Sequence, residues 1–458
     1  MHNILQRSAV ALCFSAALGG CSSFLDSDTA TRDPNLPSAA TRDQLFTGAQ
    51  ANIFAQQEGP LAMIACQWMQ QCSGINGRFV QQQDNYSINA LTFDLPFQEV
   101  YSAGGLLSLR SIQASAEADG DLVYKGIAQV LEALLIGTTA DIWGNIPYSD
   151  AVGENPRPTF DDQMDVYADM QTLLDEAITN INGAGNGPGA VDLFFGDSPL
   201  ATQKVKWIQV ARTLKARYYL HTAEVVGTAA YTAARTAAQQ GISTADNDLL
   251  TLHSGTTSER NMWVQFQNTS GFGLDLVAGK RLVDIMVADN DPRLPEYFGL
   301  NGQGGYGGMD VTTQAGTPGP QISPLAGSDR HTDDFRQPIV TWEENQLILA
   351  ETNFVLGDVP AAQLALNAVR AAHGKGVVVA TLQSIMHEKY ISMFQNLEVW
   401  NDWKRTCLPQ LTPAVGRTAI PGRLYYGQTE EQTNPDNTPA SSEQNLFTVR
   451  NPNDPNGC

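Results

Sequence analysis

The chain has 458 residues, of which 48 are acidic and 27 basic, for a net charge of −21 at pH 7. A surface of that sign repels nucleic acid and anionic lipid headgroups, so neither is expected as a partner. The length suggests two or three domains, or a single long helical array.

Residues 1–20 read as a lipoprotein signal peptide. One positive charge, Arg7, precedes an apolar run over 9–18, broken only by Ser15 and too short to span a bilayer as a helix. The run ends in Leu18-Gly19-Gly20-Cys21. Small residues before a cysteine are what lipoprotein signal peptidase requires, the alternative being an ordinary secretory signal. Cys21 is therefore expected to carry diacylglycerol on its sulfur and an acyl chain such as palmitate on its amine, each buried CH₂ contributing about 0.8 kcal/mol of anchoring. Loss of Arg7 with the signal takes the mature charge from −21 to −22. Residues 21–44, rich in Ser, Thr, Asp, Pro and Ala, read as a flexible lipidated tether. No later apolar run reaches the roughly 18 residues of a transmembrane helix, so 45–458 is expected to be one soluble, membrane-tethered domain.

Of the six cysteines, Cys13 leaves with the signal and Cys21 takes lipid. Cys66, Cys72, Cys407 and Cys458 remain, an even number in an oxidising compartment, with three possible connectivities. Cys66–Cys72, a local loop, and Cys407–Cys458, a tie on the last residue, are the favoured pairs. A zinc site from these thiols has the wrong spacing for a knuckle.

Helical periodicity dominates the rest. Over 121–138, Ile127, Val130, Leu131, Leu134 and Leu135 share a face, and over 162–182 so do Val166, Met170, Leu173, Leu174, Ala177 and Ile181. From Lys204, Trp207, Ala211, Leu214 and Tyr218 form a stripe, while Arg212 and Lys215 point elsewhere, toward solvent or acidic neighbours. A helix is expected over 343–356, stopping at Gly357; Asp358 caps a second, with Pro360 in its first turn, ending near Gly374. Thr381 caps a third, carrying Leu382, Ile385, Met386, Phe394 and Leu397. Two such helices joined by Gly-Asp look like one tetratricopeptide-type hairpin. Helical repeats are thus expected over about 45–250 and 340–405, a loop-rich ligand region over 255–335 and a tail over 411–458. Stretches 183–200 and 301–335 are rich in Gly, Pro, Ser and Asp, and loops this long are functional or disordered.

Several strings, in order along the chain, resemble the SusD/RagB family of outer-membrane lipoproteins. They are Ala140-Asp141-Ile142-Trp143-Gly144-Asn145-Ile146-Pro147-Tyr148-Ser149-Asp150-Ala151, the helix 207–219, and Asp291-Pro292-Arg293-Leu294. Glu388-Lys389-Tyr390-Ile391 with Glu398-Val399-Trp400-Asn401-Asp402-Trp403-Lys404-Arg405-Thr406 follows, then Ile420-Pro421-Gly422-Arg423-Leu424-Tyr425-Tyr426 with Glu431 and Asn434. Cys407 stands where the family usually has Gly, and Asn145 where it has Asp. The resemblance implies a mainly α fold, a right-handed tetratricopeptide-like superhelix with long loop insertions and few short strands. It implies a lid on a SusC-like TonB-dependent outer-membrane transporter, anchored at the outer membrane and facing the cell exterior. The ligand would be an oligosaccharide or, as in RagB-like members, a peptide. It also implies that Tyr148, Trp400, Trp403 and Arg405 pack helices rather than touch ligand.

Enzyme chemistry finds little support. The adjacent pairs Asp161/Asp162 and Glu343/Glu344 point about 100° apart on a helix, whereas glycoside hydrolysis needs carboxylates facing each other across a cleft. Six histidines show no H-E-x-x-H spacing, and neither a G-x-S-x-G elbow nor a P-loop occurs. No cofactor or resident metal is expected. His331, Asp333 and Asp334, like Asp289 and Asp291, are faint calcium positions that read better as turn and capping residues. Aromatic faces stack on sugar rings while amides, carboxylates and guanidinium groups bond hydroxyls. On loop location the ligand candidates are Trp68, Asn76, Arg78, Phe79, Tyr86, Trp263, Phe272 and Tyr306, with Gln67, Gln265 and Tyr297 nearby. Each aromatic is individually more often core than contact. The expected function is nutrient capture for a transporter, with a structural or adhesive surface lipoprotein as the alternative of a different class.

Overall fold

The computed structural model describes residues 40–75, 85–268, 276–313 and 319–458. The expectations placed on Cys21, Asn76, Arg78, Phe79 and Phe272, on the signal 1–20 and on 21–39 of the tether lie outside the described residues.

Side chains that satisfy first-turn amides set the helix starts. Thr41 and Gln44 bond reciprocally, Gln44 N to Thr41 Oγ1 at 3.2 Å and Thr41 N to Gln44 Oε1 at 2.9 Å, at the start of α1 (Arg42–Glu58). From Leu45 to Cys458 the chain is one compact unit. α2 (Pro60–Trp68) leads into β1 (Cys72–Gly74). α3 (Asp94–Tyr101) and α4 (Leu106–Ala118) precede α5 (Leu122–Trp143), which Asp121 caps. α6 (Gln163–Asn182) is capped by Asp162, and α7 (Leu200–His221) follows Pro199. After α8 (Ala223–Val226) and α9 (Thr228–Ala238), β2 (Leu249–Leu250) and α10 (Met262–Asn268) lead to β3 (Leu276–Ala278). α11 (Lys280–Ala288), α12 (Leu294–Tyr297) and β4 (Pro338–Val340) complete the loop-rich middle.

The last third holds α13 (Trp342–Val355), α14 (Val359–Ala372), α15 (Leu382–Ser392), α16 (Glu398–Thr406) and α17 (Gln428–Thr433). Asp358 caps α14 as expected, Gly357 takes the left-handed φ of 85° that ends the preceding helix, and Thr381 forms a capping box with Ser384. The third helix departs from expectation. It breaks after Ser392, so Phe394 and Leu397 lie in a turn, buried, and α16 starts anew with Asn396 Oδ1 accepting from Glu398 N at 2.9 Å.

Consecutive helices pack as neighbours: α4 on α5, α5 on α6, α6 on α7, α7 on α9, α9 on α13, and α13 on α14 and α15. This is a mainly α architecture of tetratricopeptide-like hairpins; among the described residues the strands form two antiparallel pairs, β1–β3 and β2–β4. α5 is the central helix. It meets the length and apolarity of a membrane span, contrary to the sequence expectation, but 89% of its apolar window is buried inside the fold. Its Gly137 lets α7 approach: a Cβ there would sit 2.2 Å from the ring of Tyr218, whose hydroxyl donates to Ala133 O at 3.0 Å. On α9 an alanine stripe (Ala230, Ala234, Ala238) closes against Ala216, Leu220 and Ile348.

Candidate functional site

The strings that resemble the family converge on buried charge. Arg217 on α7 pairs with Glu344 at 2.6 Å and lies 3.6 Å from Glu398. His221, one turn on, places Nδ1 2.7 Å from Asp141 and Nε2 2.9 Å from Glu398. Lys389 and Arg405 each reach Asp402 at 2.8 Å, and Arg405 also binds Glu351. Lys404 donates to Asp141 O at 2.6 Å. With His221 protonated, the cations Arg217, His221, Lys389, Lys404 and Arg405 match the carboxylates Asp141, Glu344, Glu351, Glu398 and Asp402 one for one. Burial opposes the imidazolium, but Asp141 and Glu398 prevail and push His221 up to about 9. Burial likewise opposes Glu398, yet Arg217 and His221 hold it well below the usual carboxylate range. The ligand atoms of Asp141, His221 and Glu398 lie within 4.8 Å of one another, close enough for a metal. Both ring nitrogens, however, face carboxylate oxygens, which a doubly protonated ring satisfies as a donor on each side, and Arg217 and Lys404 already supply the neighbouring positive charge.

A second network joins the other strings. Arg293 binds Asp291 at 2.7 Å and Glu388 at 2.5 Å, and Lys375 and Arg370 add contacts of 2.5 Å to Asp291 and 2.8 Å to Glu388. Asp291 is buried, but Arg293 and Lys375 hold it below the usual range. At the two faint calcium positions the carboxylates have protein partners: Asp289 pairs with His387 at 2.7 Å and Asp333 with Arg260 at 3.1 Å. The carboxylate pairs are also accounted for. Asp161 accepts from Tyr148 N and Ser149 N, Asp162 caps α6, and Glu343 holds His373 at 2.7 Å.

Both favoured disulfides are present, Cys66–Cys72 and Cys407–Cys458, with Cα–Cα distances of 5.1 and 5.4 Å. Cys407 has a φ of 55°, left-handed, which explains why glycine suits this position. Asn145 keeps the acceptor that an aspartate would offer, taking Gln163 N at 3.0 Å. The closing string docks on the core, with Trp400 Nε1 donating to Pro421 O (3.1 Å) and Trp143 Nε1 to Tyr425 O (2.8 Å). Tyr148, Trp400, Trp403 and Arg405 are buried, in packing roles.

The loop-rich middle gathers at β1 and β3, paired from Cys72↔Ala278 to Gly74↔Leu276. Beyond β3, Met309 N donates to Ala278 O (2.8 Å) and Lys280 N to Met309 O (2.9 Å), laying the 307–312 segment over the start of α11. A pocket of about 220 Å³ opens there, lined by Gln70, Lys280, Arg281, Asp284, Asp310 and Gln410, with Met309 and Val311 as its apolar part. Lys280 pairs with Asp284, and Asp310 accepts from Thr312 N (3.0 Å) and Oγ1 (2.7 Å). The lining thus combines donors, acceptors and a small apolar part, a composition that suits a ligand dense in hydroxyls.

The aromatic candidates separate cleanly. Trp68 (0% exposed), Trp263 (2%) and Tyr86 (4%) are core residues, as are Gln67 and Tyr297. Trp68 sits edge-on to Trp400 at 5.0 Å and to Tyr86 at 5.7 Å, and the Tyr86 hydroxyl accepts from Ala414 N at 3.0 Å. Gln67 and Trp68 end α2, Trp263 lies in α10 and Tyr297 in α12, so these positions are helical and turn to the core rather than into a loop. Tyr306 is half-buried, packs against the core and directly precedes the 307–312 segment; Gln265 is half-buried on α10. Gln70, Lys280, Arg281, Asp310 and Gln410 were not anticipated, because polar residues in turns or on the exposed first turn of a helix carry no periodic apolar signal.

Stacked helical hairpins with a polar pocket on their loop face define an α-helical binding scaffold. The chain belongs to the SusD-like family of nutrient-binding proteins: the family model described as starch-binding associating with outer membrane matches residues 34–372. Solved structures agree in fold. A SusD/RagB family protein from Bacteroides thetaiotaomicron is 18% identical, with TM-score 0.69, over 92% of this chain and 100% of that one. A chitin-binding SusD homolog from Flavobacterium johnsoniae is also 18% identical, with TM-score 0.71, over 86% and 94%. A SusD homolog from Bacteroides fragilis is 17% identical, with TM-score 0.70, over 91% and 99%. No curated protein matches the chain.

Proposed function

We propose that this chain is a lipid-anchored outer-membrane protein that binds a nutrient oligosaccharide on its loop face and hands it to a TonB-dependent transporter. The pocket between Gln70, the start of α11 and the 307–312 segment carries this reading, because it sets side-chain donors and acceptors next to the apolar Met309 and Val311. The family's starch-binding description and the chitin-binding relative support a glycan. The Leu18-Gly19-Gly20-Cys21 string supports the anchor. A peptide is the second reading, favoured by the charged groups Lys280, Arg281, Asp284 and Asp310 in the same pocket.

Calorimetry with starch- and chitin-derived oligosaccharides and a peptide pool, on wild type and Asp310→Ala, tests the ligand. A glycan bound at least tenfold more weakly by the variant, with little dependence on salt, supports the first reading. Peptide binding that weakens steeply with salt moves the assignment to the second, and glycan binding indifferent to Asp310→Ala removes the pocket. Tagged purification from mild-detergent extracts then asks whether a TonB-dependent barrel is held in equal amount; its absence removes the transport role.

A further inference from the structure

The loop-face pocket presents one cation and two acceptor atoms that the protein leaves without partners. Four charged side chains line it, Lys280, Arg281, Asp284 and Asp310. Lys280 pairs with Asp284 one turn along α11. Asp310 commits Oδ1 to Thr312, whose N and Oγ1 donate to it at 3.0 and 2.7 Å, and its Oδ2 accepts from no described residue. The guanidinium of Arg281, exposed at the second position of α11, has neither a hydrogen bond nor an ion pair among the described residues. Gln70 is only 6% exposed; its Nε2 donates to Thr412 O, while its Oε1 takes no donor from the described residues. A buried amide fixed at one end offers its oxygen to whatever fills the pocket it lines.

Arg281 also stands at the positive end of a helix. Gly279 precedes α11 and supplies no side-chain cap. A Cβ there would lie 2.3 Å from Gln70 O, so the approach of the Gln70 backbone excludes a capping side chain. Gly308 is needed for the same reason, since its Cβ would lie 2.4 Å from Lys280 N. Among the described residues the amides of Arg281 and Leu282 consequently meet no acceptor. Uncapped first-turn amides carry the positive end of the helix dipole, and here they reinforce the charge of Arg281.

We infer that this pocket selects an acidic sugar, a uronic acid unit of the oligosaccharide. The carboxylate of that unit binds Arg281 at the start of α11, and its hydroxyls donate to Gln70 Oε1 and Asp310 Oδ2. A planar guanidinium holds a carboxylate through two parallel charge-assisted hydrogen bonds, which a neutral hydroxyl cannot match. The charge of −21 on the whole chain repels an acidic ligand, so holding one requires a local cation that no protein carboxylate has neutralised. The volume of about 220 Å³ lies below the roughly 300–1,000 Å³ usual for ligand sites, which suits one sugar unit rather than a length of chain. This inference rests on the reading of the pocket as a glycan site and names the class of glycan.

The test is calorimetry on the full chain in detergent. The probes are oligomers of galacturonate, glucuronate and mannuronate, a sulfated galactan oligosaccharide, and neutral oligosaccharides from starch and chitin. One of the uronates is expected to bind at least tenfold more tightly than any neutral probe, and methyl esterification of its carboxylates to abolish that advantage. Arg281→Gln should weaken the uronate at least tenfold, and Arg281→Lys, which keeps the charge but loses the planar fork, should weaken it less. Thermal melts check that both variants fold, as expected for an exposed helix position. Tightest binding of a neutral probe, or a uronate held equally by Arg281→Gln, overturns the inference and leaves the glycan reading standing. Tightest binding of the sulfated probe overturns the carboxylate assignment. If no oligosaccharide binds, the glycan reading itself falls and the inference falls with it.

Discussion

His221 is buried between two carboxylates, and its proton is what balances the charges around it. Its folded pKa of about 9 lies above the unfolded value of about 6.5. A raised pKa means the folded state binds the proton more tightly. The stabilisation, about 3 kcal/mol, is therefore complete below pH 6.5 and is lost as pH rises through 9. Asp248, lifted by burial to about 8, and Asp454, lifted by burial to about 7, add losses of the same sign as they ionise. Urea unfolding should show stability falling from pH 6 to pH 10, and the gap between wild type and His221→Gln should narrow over that span. A constant gap would mean that the ring is neutral in the fold. Single residues also separate packing from contact. Trp68→Ala should cost about 3–5 kcal/mol of stability as a fully buried ring. Tyr306→Ala should leave the melt nearly unchanged and weaken glycan binding; the opposite pattern in calorimetry and melts would return Trp68 to the ligand list.

Helix boundaries were legible where a terminus carried a strong stop or cap signal: Gly357 and Asp358 between α13 and α14, and Thr381 before α15. The break at 393–397 was not, because Phe394 and Leu397 are buried by neighbours outside their own helix and so imitate continued periodicity. Asn396, which bonds Glu398 N, was the only local sign. The pocket was the least legible part. Its residues come from four separate segments, and only long-range packing brings Gln70 and Gln410 to α11. The disulfides were readable from cysteine arithmetic, and they bear unequally on their elements. Cys407–Cys458 spans 51 residues and Cys66–Cys72 only 6. Loop-closure entropy gives about 4 kcal/mol for the first and about 2 kcal/mol for the second. Cys458→Ser should therefore lower the unfolding free energy more than Cys72→Ser, and equal losses in denaturant melts would show that strain or packing, not chain entropy, dominates.

The whole molecule uses its most membrane-like helix as a core. Every large apolar face of α5 is covered, and Glu132 and Asp141 on it are committed, the first to Tyr148 at 3.0 Å and the second to His221. Pulling α5 into lipid would break those pairs and strand buried charge, at several kcal/mol per ion. A net charge of −21 also repels anionic headgroups over a Debye length. On the function proposed above, membrane residence depends on the lipid expected at Cys21. Cys21→Ser should release the chain from sedimenting membranes into the soluble fraction at any salt concentration. Its melting temperature should match that of the wild type, since the substitution lies outside the unit from Leu45 to Cys458. If the variant stays in the membrane pellet after a high-salt, high-pH wash, the anchor is elsewhere and the lipoprotein reading fails. If it is released by salt alone, a peripheral contact with another membrane protein holds it.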